Sequence, residues 1–194
     1  RFPDDSSEPM AERGMGAIYT RTSEGLPLRP VPTAREREDL FTRFYEPHHA
    51  ALERAVESEL VARGQSLILD GHSFPSRPLA CDLDQSEPRP EICLGTDADH
   101  TPESLLATAL AAIAALAPTG WRVEVNRPYA GTLVPLKHYG RDRRVASLMV
   151  EIRRDLYMNE GTGKRNDGFV TVEKFVGNLL AALSGWQERK SQSA

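Results

Sequence analysis

Ser66-Leu67-Ile68-Leu69-Asp70-Gly71-His72-Ser73 is the stretch whose reading decides the fold. The apolar run at 66–69 is too short for a helix and matches a strand buried in a parallel-type sheet. It runs straight into Asp-Gly-His-Ser, which puts His72 just past a strand end. Working outward, Ile92-Cys93-Leu94 reads as a second short strand closed by Gly95. Residues 121–125 alternate as a strand, and residues 147–153 form a further apolar strand carrying Glu151.

Helical patterns separate these strands. Thr33 followed by Glu36 has the spacing of a capping box. Apolar residues then recur at Leu40, Phe41, Phe44, Tyr45, Leu52, Val56 and Leu60. Pro47 predicts a kink near Glu46 because it removes a backbone donor, and Gly64 ends the helix. A second helix opens at Thr101-Pro102-Glu103 and runs to about Leu116. A third spans about 170–183, followed by a frayed tail. Residues 1–32 read as loop with one short strand near 16–20. Strands alternating with helices predict an α/β fold with a mostly parallel or mixed sheet and helices on both faces. The expected organisation is a single domain over 1–188 with a tail at 189–194.

Bulk properties bound the function. The chain has 194 residues, 40% hydrophobic and 27% charged, and a net charge of −4. That balance argues against nucleic acid or an acidic membrane as partner, since both require a basic face. No apolar run is long enough to span a bilayer. Two cysteines are too few for a disulfide framework, which predicts a reduced, cytoplasmic setting. No feature specifies an oligomeric state.

Two positions stand out chemically. Residues two apart in an extended segment face the same way, so Asp70 and His72 project together. A carboxylate beside an imidazole orients it and raises its basicity, as at metal sites. The plain alternative is a turn in which Asp70 accepts backbone donors and His72 is merely exposed. Glu151 interrupts an apolar strand, where a carboxylate is costly unless paired or used. It is either a general base toward a bound water or a partner of Arg153 or Arg154, or it faces water at an edge.

The long stretch NRPYAGTLVPLKHYG at 126–140 carries Asn126, Gly131, Thr132, Lys137 and His138. Glycine permits close backbone approach to a ligand, and long loops in compact domains are often functional. The remaining histidines carry less. His48 reads as a packed helix residue and His49 as half exposed. Asp97, Asp99 and His100 offer metal-ligand chemistry, but capping of the following helix explains the acids more simply. Cys93 reads as a buried, inert thiol. No phosphate loop, dinucleotide motif, HExxH or GxSxG occurs.

Taken in order, RFPDD at 1–5, ERGMGAIYTRT at 12–22, DGHSFPS at 70–76, RPEICLGTD at 89–97 with HTP at 100–102, NRPYAGTLVP at 126–135 with HYG, and VEIRRDLYM at 150–158 resemble the N-formylglutamate amidohydrolase family. The resemblance implies a hydrolase fold like that of zinc carboxypeptidases and aspartoacylase, here N-terminally incomplete. It implies one Zn2+ per complete site, with His72 as the later zinc ligand and Asp70 behind it, Glu151 as the catalytic carboxylate, and Arg1 as the grip on a substrate carboxylate. Asn126, Gly131, Thr132 and His138 are placed with the substrate wall. The early metal-ligand motif of the family has no counterpart in this sequence and is expected upstream of Arg1.

The implied reaction is hydrolysis of N-formyl-L-glutamate to formate and L-glutamate, a step of amino-acid catabolism and histidine degradation. The implied partner is a small N-acyl amino acid. A carboxypeptidase-like peptidase acting on short peptides is the second reading. A non-catalytic relic or binding module is the third.

Overall fold

The computed structural model describes residue 3 and residues 8–191. These fall into two compact units, one within Arg1–Leu52 and Pro78–Gln85, the other within Glu53–Arg77 and Ser86–Ala194. None of the described helices is long and apolar enough to cross a membrane.

The second unit is built on four strands: β1 (Ser66–Phe74), β2 (Ile92–Gly95), β3 (Val123–Val125) and β4 (Val145–Arg153). Their order is β1-β4-β2-β3. β1 runs parallel to β4 and β3 parallel to β2, while β2 and β4 are antiparallel. The chain is therefore an α/β fold with a mixed sheet. β1 extends five residues beyond the expected apolar run, because its ladder with β4 continues from Ser66↔Val145 to Phe74↔Arg153. Asp70 and His72 thus lie inside the strand, not past its end.

One sheet face is the core. Ile92, Leu94, Ala146, Leu148 and Ile152 meet α3 (Glu103–Leu116) through Leu105, Ala109 and Ile113, and α4 (Phe169–Ser191) through Val172, Phe175, Leu179, Leu183 and Trp186. The spacing of three and four residues sets these side chains on one stripe of each helix. Full burial of each large aliphatic or aromatic side chain contributes about 1.5–3 kcal/mol. α4 runs on to Ser191, past the expected end near 183, because Trp186 continues its buried stripe.

The expectation of helices against both faces needs correction. Both of these core helices lie on the same face, and the other face meets the 126–140 loop directly. Thr132 Oγ1 lies 2.6 Å from Ser147 Oγ, and Ser147 Oγ donates to the Leu133 carbonyl. Gly95 makes the approach possible: a Cβ there would stand 2.3 Å from the Gly131 carbonyl oxygen.

In the first helical region the Thr33–Glu36 capping box is present in both directions, opening α1 (Ala34–Leu40). A π-helical turn, Phe41–Tyr45, separates it from α2 (Glu46–Arg63). The irregular turn stands immediately before Pro47, whose ring and missing N–H disturb the preceding turn. The predicted apolar stripe along 40–60 is buried only at Val56. His48 is exposed rather than packed, while the half-buried His49 stacks on Tyr45 with ring centroids 3.9 Å apart. The strand expected near 16–20 reduces to a single bridge, Met15↔Tyr19.

Candidate active site

The sheet face opposite α3 and α4 gathers the chemistry. Pairing registers His72 on Glu151 and Glu151 on Cys93, so the three positions form one row across β1, β4 and β2. Asp70 lies one row back, opposite Met149. Its Oδ1 stands 2.8 Å from His72 Nε2. The Asp70 side chain is mostly buried, and the imidazole is 50% exposed, so it is oriented by the sheet and open to a ligand. The extended conformation at 70–72 excludes the turn reading of this motif.

Glu151 is 6% exposed, and its Oε2 accepts no hydrogen bond. The two plain alternatives for it fail on geometry. β4 is a central strand, so Glu151 is not at an edge. Arg153 pairs instead with Glu91 at 2.7 Å and with Asp155 at 2.8 Å, and Arg154 donates to Ser73. Burial pushes the Glu151 carboxyl up to about 7; His72 opposes the rise, Asp70 adds to it, and Arg154 and Arg89 oppose it. A carboxyl poised near neutrality can accept and return a proton within one catalytic cycle.

Residues that the sequence did not single out complete the wall. Tyr129 sits over the row: its carbonyl accepts the Cys93 thiol at 3.2 Å, and its ring meets Phe74 edge-on at 6.0 Å. Arg89 is 1% exposed, donates to Pro75 O and Tyr129 Oη, and lies over both rings. Burial raises the Cys93 thiol to about 11, consistent with an inert side chain. Neither Arg89 nor Tyr129 gives a local signal, since an arginine between prolines and a loop tyrosine are ordinary surface residues until the fold closes over them.

The expected substrate wall separates into parts. Asn126, at φ 58°, clamps Thr96 by accepting from its N–H and donating to its Oγ1, both at 2.8 Å. Gly131, at φ 87°, donates to Thr96 O. Thr132 faces Ser147. His138 is buried, with Nδ1 3.8 Å from Asp142 and Nε2 without a hydrogen-bond partner; it lines a hollow with Glu57, Leu60, Val61 and Arg144, not the Glu151 row. Lys137 pairs with Glu57 and Glu53. Arg1 lies outside the described residues.

The alternative metal cluster at 97–100 is structural. His100 Nδ1 lies 2.8 Å from Val145 O, and its Nε2 accepts the Gly140 N–H. Asp97 Oδ1 accepts the N–H groups of Asp99 and His100. Among the described residues no three His, Cys, Asp or Glu side chains converge as a metal site.

A family model for N-formylglutamate amidohydrolase matches residues 1–158. Among solved structures, the chain is similar to an N-formylglutamate amidohydrolase from Ralstonia eutropha JMP134, with 27% identity and a TM-score of 0.75, over 96% of this chain and 65% of that one. It also shares a fold with a gene product of Agrobacterium tumefaciens at 19% identity and a TM-score of 0.61, over 88% of this chain and 63% of that one. The chain thus spans just under two thirds of the length of these structures. No curated protein matches it.

Proposed function

The chain belongs to the N-formylglutamate amidohydrolase family, and from that premise we propose that its β1–β4–β2 face hydrolyses the amide of an N-acyl acidic amino acid, N-formyl-L-glutamate first among them. The observation that carries the reading is Glu151: a carboxyl held inside a central strand, unbonded at Oε2, raised to about 7, and in register with an imidazole that Asp70 orients.

The zinc-carboxypeptidase-like architecture and the Zn2+ cofactor belong to the same proposal. His72 would be one zinc ligand. Zinc needs about three protein ligands, and the described residues bring no such set together. They do not make a zinc site by themselves, and the steps below use the chain's own groups.

With Glu151 ionised, its free oxygen takes a proton from a water as that water's oxygen attacks the formyl carbon. The proton then passes to the amide nitrogen while the C–N bond breaks, giving formate and the free amino group. His72 borders the same space. Tyr129 and Phe74 wall it and limit bulk water. Removing a positioned acid–base group costs about 10²–10⁴ in rate.

The test is release of formate and glutamate from N-formyl-L-glutamate by the purified chain, with and without added Zn2+, beside Glu151→Gln. The reading requires wild-type turnover, a loss of at least about 100-fold in the variant, and kcat/KM rising as pH passes about 7. Turnover of short peptides instead would favour the peptidase reading. Turnover of neither would leave a binding module.

A further inference from the structure

We infer that Arg154 is the anchor for a substrate carboxylate at this site, an inference that rests on the amidohydrolase reading and gives it a substrate class. Arg154 is the first residue past β4 and opens the short 3-10 turn Arg154–Leu156. Its Nε donates to Ser73 Oγ at 3.1 Å and its Nη2 to Ser73 O at 2.9 Å. Ser73 follows His72 directly, and Ser73↔Ile152 is the ladder step next to His72↔Glu151. The guanidinium is thus fixed beside the reacting row, and its charge is felt at Glu151.

Two of its five N–H donors are spent on Ser73. The others meet no acceptor among the described residues, and no carboxylate there pairs with it. Its neighbour Arg153 is the contrast, held by both Glu91 and Asp155. A half-buried cation with a rigid fork and no counter-ion is suited to receive an anionic group in bidentate fashion. Arg89, the other cation near Glu151, is sealed between the Phe74 and Tyr129 rings. Arg154 is the one that a ligand can reach. The ligand chemistry is a carboxylate a few bonds from a scissile amide, as in N-acyl acidic amino acids.

The test compares the full chain with Arg154→Gln and Arg154→Lys on two substrates, N-formyl-L-glutamate and its neutral diamide. Arg154→Gln should raise KM for N-formyl-L-glutamate about 30-fold, with kcat within about 3-fold, because uniform binding is lost. Turnover of the diamide should not change. An arginine that only braces β1 through Ser73 would lower both substrates alike, and that result overturns the inference. L-glutamate binding, followed by NMR titration, separates this from failure of the amidohydrolase reading. If the wild type hydrolyses neither substrate, that reading falls. The anchor then stands if glutamate binds and Arg154→Gln weakens it about 30-fold. It falls if the affinities are equal or if the wild type binds no glutamate. Should Arg154→Gln unfold, Arg154→Lys carries the same comparison, with about a 10-fold rise in KM expected from loss of the fork.

Discussion

At the scale of single residues, Glu151 links the site to stability. Its carboxyl stands at about 7 in the folded chain, against 4.5 without the fold. Below pH 4.5 it is protonated in both states and contributes no pH dependence. Between 4.5 and about 7 the unfolded chain has released a proton that the folded chain retains. The unfolded state binds fewer protons there, so stability falls as pH rises through that window. Above about 7 the full cost of a buried carboxylate is in place, on the order of 2–3 kcal/mol. Glu151→Gln should therefore melt like the wild type near pH 4 and at higher temperature near pH 8. Parallel melting curves across that range would mean that the carboxylate is stabilised in the fold. His100 gives the opposite kind of test. Its two ring nitrogens join the Val145 carbonyl to the Gly140 N–H in a buried position. His100→Ala leaves both backbone groups unsatisfied and should cost about 2–4 kcal/mol in chemical denaturation, without touching the Glu151 row.

At the scale of elements, the contact between loop 126–140 and the sheet depends on one glycine. A methyl at residue 95 would meet both the Gly131 carbonyl and the Met149 side chain at 2.3 Å. Gly95→Ala should destabilise the chain by about 1–3 kcal/mol and speed hydrogen exchange at the Gly131 amide, which bonds Thr96 O. Unchanged exchange at that amide would show that the loop has room to yield. Much at this scale is legible in sequence. The capping box at Thr33, the Gly64 stop, the span of α3 and the positions of β2 and β4 all follow from local chemistry. What local chemistry does not encode is partnership. Asp70 and His72 read as residues beyond a strand because their polar character hides a ladder that only β4 supplies. The antiparallel step between β2 and β4 likewise leaves no mark on either strand. Asp70, His72 and Glu151 were legible because polarity in an apolar setting is a local anomaly. Arg89, Tyr129 and Arg154 gain their meaning only from neighbours distant in sequence.

At the scale of the whole molecule, the question is how a catalytic face and an incomplete ligand set combine. The described residues offer His72 as an imidazole, with Nε2 already engaged by Asp70, and no second histidine joins it. His100 is fully occupied, and His138 lies in a different hollow. A single imidazole with an adjacent carboxylate falls short of the roughly three protein ligands that hold zinc firmly. The expectation is that the purified chain, dialysed against buffer without chelator, retains well under one zinc per chain by elemental analysis, and that its turnover of N-formyl-L-glutamate rises with added Zn2+. His72→Ala should abolish that rise. A full equivalent of zinc that survives dialysis and is lost in His72→Ala would require ligands outside the described residues. Asp4 and Asp5 would then be the first positions to substitute, since they are the carboxylates of the N-terminal stretch that the resemblance places near the substrate.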